Sequence, residues 1–397
     1  MECTTVRDRL RVPRKGCVFD LGGLYAALEE LVDWRKARGK RYPLALVLLL
    51  VVLAKLCGQD HPSGIADWAQ ARVHLLVSAL HLRYPRMPCH NTYRRILRNV
   101  DVSALQRVLD RFLRTRGAVN RSIVIAMDGK TLRGTVPVGQ TQGVHLLAAF
   151  APHERLVLMQ VAVDGKENEI TAAPELLGCL DLGGKVIVAD AMHCQRELSI
   201  QIVAAGGHYV WLTKDNQPRT RQAIADLFEL PRCVLAHEQA TAFPSVTKTD
   251  KDHGRLEERT LVASDWLNGY LDWPHLGQVF RIERRFTYLK DGSIHSEVVY
   301  GLTDLRPEDA SPDQLLSYVR DYWGIENKLH YPRDKTLHED GTRMTCANQA
   351  QAMAAINNLI IALIAHAGWS NLPKARRYYD GNVDVALDLI LRIPGPT

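Results

Sequence analysis

Eight cysteines are scattered through this 397-residue chain, and no two lie within four residues of each other. That excludes zinc-ribbon and zinc-finger spacings and leaves isolated, reduced thiols as the expectation. Long hydrophobic runs are missing as well. The best candidate, Pro43 to Ala54, stops after 12 residues at Lys55, short of the ~20 that a spanning helix needs. A second, Ala352 to Ala365, is interrupted by Asn357 and Asn358. Both read as core helices, and no membrane partner is expected. The first residues show no charged-then-apolar leader, since Glu2 is out of place for one, so a cytoplasmic location is expected. Internal repeats and low-complexity tracts are absent too.

What is present is a globular composition, 46% hydrophobic and 24% charged, long enough for two or three packed units. Fifty lysines and arginines against 44 acids permit a polyanionic partner without demanding one. Their distribution says more: from Arg83 to Arg121 there are ten arginines and only two acids. Within that stretch CHNTYRRILRNVDVSALQRVLDRFLRTR reads as two helices, the first capped by Asn91 or Thr92 and the second by Asp101 or Ser103. Arginines such as Arg94, Arg95 and Arg98 alternate with Ile96, Leu97, Leu105, Val108, Leu109 and Phe112. One face can therefore pack while the other stays cationic. Such a pair suits a DNA groove, and a solvated face without a partner fits the pattern equally well.

The periodicity divides the chain. Leu21 to about Arg116 is helical, placing an all-α region within residues 1–121. SIVIAMDGKTL, GVHLLAAFAP and RLVLMQVAVDGK then form three β-type runs, an antiparallel meander. The helix APELLGCLDL, the apolar strand GKVIVAD, the helix QRELSIQIVAAGG, the strand HYVWLTKDN and the helix RTRQAIADLF follow. The order predicts an α/β core over 122–233 whose last strands are parallel and central. Residues 234–303 are polar and strand-like and read as a β insertion. Residues 304–397 return to the core with a helix over SPDQLLSYVRDYWGIENKLHYPRDKTL, capped at Ser311, and with C-terminal helices. Glu326 falls on that helix's apolar stripe of Leu315, Val319, Tyr322 and Leu329, a costly place for a carboxylate without a cation or hydrogen bonds.

Three carboxylates draw attention together. Asp128 interrupts the first strand, Asp190 ends the fourth, and Glu326 faces inward from the late helix. Strands one and four sit side by side in this order, so the aspartates meet. A trio of inward carboxylates repels itself, and divalent ions relieve that repulsion: Mg²⁺ or Mn²⁺, two ions about 4 Å apart, can clamp a phosphodiester. Each acid also has a plain explanation: a helix cap for Asp190, an Asp-Gly turn for Asp128, a salt bridge to Arg333 for Glu326. Other motifs fail on inspection. DGKT at Asp128 lacks the glycine of a phosphate-binding loop, Val124 standing there; Lys130 replaces the second acid of an aspartate-nucleophile phosphatase; Ala126 replaces the lysine of a nucleotidyl-lysine ligase.

The stretches AMDGKTLRG, DGKENEI, PELL, VIVADAMHCQRE, LTKDNQP, HGRLEER, SEVVYGLTDL, YWGIENKLH and HEDGTRM resemble, in order, bacterial insertion-sequence transposases of the DDE superfamily, in the H-repeat-associated group. WRKARGKRYPLALVLLLVVLAKLCG resembles that group's leading domain. The resemblance implies an RNase H-like mixed-sheet core with a β insertion, Asp128, Asp190 and Glu326 as the metal-binding and catalytic triad, and two Mg²⁺ or Mn²⁺ ions. The spacings, 62 and 136 residues, fit it. Related families place Tyr, Arg, Glu and Lys at a fixed helical spacing around the glutamate, where this chain has Val319, Tyr322, Glu326 and Arg333. Arg320 is then the nearby stand-in for the arginine and Arg333 for the lysine, as phosphate contacts. Further candidate DNA contacts are Lys130, Arg133, His193, Lys214, Asn216, His253, Arg255 and Arg259, besides Tyr322, Arg94, Arg95 and Arg98. Trp266 and Trp273 could stack a base, with core packing the better expectation.

The implied function is a DNA transposase that cuts at element ends and transfers the strand to target DNA, as a homodimer on paired double-stranded ends in the nucleoid. Two alternatives stay open: a catalytically silent, transposase-derived DNA-binding protein, and an RNase H-like nuclease that cuts without joining.

Overall fold

The computed structural model describes residues 10–11, 19–20, 23–82, 85–116, 123–163, 168–229, 242–252 and 254–391. A two-residue ribbon, β1 (Leu10–Arg11) with β2 (Phe19–Asp20), precedes the helices α1 (Leu24–Glu29), α2 (Leu44–Leu56), α3 (Pro62–Ala71), α4 (Val73–Ala79), α5 (His90–Asn99) and α6 (Val102–Thr115). The first apolar stretch is α2, and all of it is buried. Lys55 does not end it: the ammonium is tied to Asp60 at 2.9 Å, so this helix-favouring side chain stays inside. Asp101 caps α6 as expected, accepting from the Ala104 amide at 2.9 Å. The cap expected of Asn91 or Thr92 is not made, because α5 begins at His90, with Cys89 at the cap position and no side-chain bond. Tyr93, Ile96, Leu97, Leu105, Val108, Leu109 and Phe112 are buried while Arg94, Arg95, Arg98, Arg107 and Arg111 are exposed.

The sheet joins β3 (Val124–Leu132), β4 (Val144–Ala151), β5 (Leu156–Val163), β6 (Val186–Ala189), β7 (His208–Thr213), β8 (Ser245–Asp252), β9 (Arg255–Ser264), β10 (Gln278–Tyr288) and β11 (Ile294–Thr303), in the order β5-β4-β3-β6-β7-β11-β10-β9-β8. The first five form the expected RNase H-like core: an antiparallel meander, then β6 parallel to β3 and β7 parallel to β6. Parallel neighbours need crossovers, supplied by α7 (Glu169–Gly178) and α8 (Arg196–Ala204). α7 starts before APELL, at Glu169, because Asn168 and Thr171 close a capping box there. The β insertion continues this same sheet, since β11 pairs with β7 from Tyr300↔Thr213 to Thr303↔Val210. Its outermost strand β8, SVTKTDKD, has no apolar alternation to announce it, which suits an edge that must refuse further pairing.

Helix α9 (Pro218–Glu229) packs with α7 and α8 toward one sheet face, and α10 (Pro312–Ile325) covers the other. The second apolar stretch lies in α11 (Ala347–His366), set between β5 and the helices α5 and α6; α12 (Leu372–Gly381) and α13 (Val383–Leu391) follow. The two asparagines that interrupt it have partners: Asn357 donates to Glu339 at 2.8 Å and Asn358 to Gln160 at 3.2 Å. Among the described residues no helix is long and apolar enough to cross a membrane, and Cys57, Cys89, Cys179, Cys194 and Cys346 are free thiols.

Candidate active site

Alternation along the strands decides where the aspartates point. On β3, Val124 and Ala126 pack on the α10 face of the sheet, Ile125 and Met127 on the α7 and α8 face. Asp128 continues the first set. β6 repeats the pattern, with Val186 and Val188 on the α10 face and Asp190 next in phase. The register sets Ala126 beside Val188 and Met127 beside Ala189. Asp128 and Asp190 therefore come next, one strand spacing apart, about 4.8 Å between backbones.

Helix α10 brings the third acid. Ser311 caps it in a capping box with Gln314, and Pro312 takes the first turn, where its missing N–H costs nothing. The expected uninterrupted α-helix ends at Ile325. Two π-helical turns follow, Glu326–His330 and Pro332–Thr336, the first closed by the Tyr331 amide on the Glu326 carbonyl. Pro332 has no N–H for an α bond to residue 328, so the wider turn is the available continuation. Glu326 stands at this junction rather than within an apolar stripe, and its side chain is 54% exposed.

Asp128, Glu326 and His330 offer ligand atoms that lie within 4.8 Å of one another. Asp190 is outside that group; its Oδ1 accepts from the Met192 amide at 3.1 Å, making it a cap as well as a neighbour of Asp128. The Tyr322 hydroxyl donates to Asp128 Oδ1 at 3.4 Å. Burial raises the Asp190 carboxyl above its ordinary range, and the like charges of Asp128 and Glu169 add to the rise against a pull from His193. Burial, with Asp128 and Asp190 beside it, pushes the Tyr322 phenol up. His330 beside Glu326 holds that carboxyl down. Burial pulls the His330 imidazole down, but its contacts with Asp128 and Glu326 outweigh burial and raise it.

Two residues here escaped the sequence reading. His330 is four residues past Glu326, a spacing that carried the signal unused. Glu169 gave no such sign, because only the fold brings it under Gly129. Its carboxylate accepts from His145 at 2.8 Å and lies 3.2 Å from His193 Nε2. A Cβ on Gly129 would stand 2.1 Å from Glu169 Oε1, so any larger residue there must displace a carboxylate that His145 and His193 hold.

The other candidate residues scatter. His193 is buried against Glu169, and Lys130 reaches Asp334 at 2.6 Å. Asn216 donates to the Ala191 carbonyl at 2.6 Å, bracing the turn after Asp190, and Lys214 is exposed at the end of β7. Arg133 is exposed just past β3. Arg255 lies over the Phe286 ring at 5.1 Å; Arg259 pairs with Glu257 at 2.6 Å and with Asp250, which Arg320 also meets at 3.1 Å. Arg98 is exposed and reaches Gln349 at 3.4 Å. His253 lies outside the described residues. Arg333 is not placed as a phosphate contact: it is fully buried, held by Glu339 at 2.8 Å and Gln160 at 3.1 Å, because seven residues of α and π turns carry it to the core side. Trp273 is a core residue and Trp266 is half exposed against Phe243.

A mixed sheet in RNase H order, with Asp128 on β3, Asp190 just past β6 and Glu326 at the end of the helix above, is the arrangement of an RNase H-like DDE fold. The family described as the Transposase DDE domain matches residues 120–363, and the DDE_Tnp_1-associated family matches residues 25–113. The chain belongs to the DDE transposase family, in the group associated with H repeats. It is 27% identical over 353 residues to the Escherichia coli (strain K12) protein YbfL, spanning 88% of this chain and 92% of that one. To YhhI of the same strain, provisionally named an H repeat-associated transposase, it is 26% identical over 353 residues, with the same shares of 88% and 92%. The piggyBac transposase, solved in a synaptic complex with hairpin DNA, aligns over 95% of this chain and 79% of its own, at 12% identity and a TM-score of 0.41.

Proposed function

We propose that this transposase cleaves DNA at the ends of an insertion sequence and transfers the freed 3′ end to target DNA, with Asp128, Asp190 and Glu326 as the catalytic, ion-holding acids. The observation that carries this reading is the in-phase approach of Asp128 and Asp190 on adjacent parallel strands, beneath the helix that ends at Glu326.

The donor set fits divalent cations. Carboxylate oxygens are the hard donors that Mg²⁺ and Mn²⁺ take, and the Asp190 carboxyl is raised by burial and by its anionic neighbours. Lys130, the nearest lysine on β3, is occupied by Asp334. Asp128, Asp190 and Glu326 would hold two ions, which when bound activate the attacking hydroxyl and offset charge on the phosphate. The protein's own work is positional. Tyr322 holds one oxygen of Asp128, leaving the other toward Glu326 and His330. Asn216 fixes the turn after Asp190 to the end of β7, so strand and turn keep the acid in place. Lys214 and Arg133, exposed past the carboxyl ends of β7 and β3, are available for backbone phosphates, and the basic face of α5 and α6 for flanking duplex. Two chains acting on paired ends complete the proposal.

The test incubates the chain with labelled end DNA, Mg²⁺ or Mn²⁺ and a target plasmid. Joined product supports the reading, and Asp128→Asn, Asp190→Asn and Glu326→Gln should each lower it by at least ~10³-fold with the fold retained. Cutting without joining makes the protein a nuclease, and a shifted band without cutting makes it a DNA-binding relic; either result overturns the proposal.

A further inference from the structure

His330 is among the most buried polar side chains near the acids, at 4% exposure. Its Nδ1 lies 3.4 Å from Asp128 Oδ2 and 3.4 Å from Glu326 Oε2. A charge-assisted N–H···O bond closes to about 2.7–2.9 Å, and one ring proton cannot point at two oxygens. Neighbouring donors around an ion with bonds of about 2.1 Å are, by contrast, about 3.0–3.4 Å apart. The other ring nitrogen, Nε2, is buried with no partner among the described residues. The two Nδ1 contacts are therefore long for charge-assisted hydrogen bonds, and an ion shared by Nδ1 and the two carboxylates fits their spacing.

The local backbone favours the arrangement. Glu326 and His330 begin and end one π turn, closed between the Glu326 carbonyl and the Tyr331 amide. That turn presents both side chains to Asp128 at the middle of β3. Asp128 meets them with Oδ2, while Tyr322 takes Oδ1.

We propose that Nδ1 of His330 is a direct ligand to the ion held by Asp128 and Glu326, and that this nitrogen makes the site prefer Mn²⁺, or a similar first-row cation, over Mg²⁺. The inference rests on Asp128 and Glu326 being the ion-holding pair. Imidazole suits first-row transition ions, and their affinity for a nitrogen donor exceeds that of Mg²⁺, which keeps to oxygen and water. Asp128 and Asp190 remain for an oxygen-only second position.

The test uses the full chain, freed of metal and loaded with Mn²⁺ alone, and reads pulsed electron paramagnetic resonance for nitrogen bound to the manganese. The expected result is a ¹⁴N coupling in the wild type that converts to the ¹⁵N pattern in protein labelled at histidine, and that disappears in His330→Gln. Mn²⁺ affinity should fall about 10- to 100-fold in His330→Gln, while Mg²⁺ affinity changes less than about 3-fold. Labelling needs no substitution, and His330→Asn serves if the glutamine variant does not fold. Bound Mn²⁺ without nitrogen coupling, or with a coupling that survives loss of His330, overturns the inference and leaves the acidic site standing. Mn²⁺ that fails to bind, or binds equally well to Asp128→Asn, overturns the reading of the acidic site itself.

Discussion

Arg333 and Glu339 form a buried ion pair, with Nε 2.9 Å and Nη2 2.8 Å from Oε2 and the arginine side chain fully enclosed. The pair does not stand alone, since Glu339 also accepts from Asn357 on α11 and Arg333 donates to Gln160 on β5. A segment that carries Glu326 and His330 is thereby anchored to a strand and to a helix at once.

Removing one partner of a buried pair leaves the other charge uncompensated. Arg333→Met should therefore destabilise the fold by about 3–5 kcal/mol in urea denaturation, and Arg333→Met with Glu339→Leu should recover most of that loss. A single variant as stable as wild type would show the pair to be idle.

Gly129 gives a second prediction. Alanine there places a methyl on the Glu169 carboxylate, which His145 and His193 hold, while β4 pairs with the strand at Gly129. Gly129→Ala should cost about 1–3 kcal/mol by overpacking. Adding Glu169→Ala should return part of it in a double-mutant cycle. Additive losses would mean that the two residues do not meet.

Glu169 sets a pH dependence. Burial alone would raise its carboxyl, but His145 and His193 outweigh burial and hold it at about 2 instead of its ordinary 4.5. A carboxyl depressed on folding stabilises the protein above its unfolded value, and that contribution is lost as pH falls through the folded one. The stability gap between wild type and Glu169→Gln should be full above about pH 4.5 and close as pH drops toward 2. Urea midpoints measured across that range check it; a gap that persists unchanged at low pH removes the ionised carboxylate as its cause.

The cationic face of α5 and α6 predicts salt sensitivity. Arg94 and Arg95 are exposed while their neighbours Tyr93, Ile96 and Leu97 are buried, so charge can be removed there without touching the core. Arg94→Ala with Arg95→Ala should weaken duplex binding for any sequence and make the logarithmic salt slope shallower by about 1 for each phosphate these arginines neutralise. An unchanged slope would leave these arginines as a solvated surface.

Much of the architecture could be read from residue order. The apolar runs IVIAM and VIVA, separated by a meander and a helix, sufficed to place β3 beside β6 and their aspartates together. Three things were hidden. β8 lacks apolar alternation because its half-buried face, Val246, Lys248 and Asp250, meets α10 largely through ion pairs, Lys248 with Asp313 and Asp250 with Arg320. The π turns after Ile325 depend on a missing N–H at Pro332 and on tertiary anchoring of Arg333, so helical periodicity extrapolated through them puts Arg333 on the wrong side. Glu169 becomes a neighbour of the acids only through strand pairing and the start of α7, which no local pattern encodes.

In the nine-stranded sheet, the fifth core strand is not a boundary. Because β7 hands its outer ladder to β11, turning the insertion as a separate body would require tearing backbone hydrogen bonds two strands away from Asp190. Any load borne by the outer strands is thus delivered to the acid-bearing centre through a continuous ribbon, with no joint along the way to absorb it.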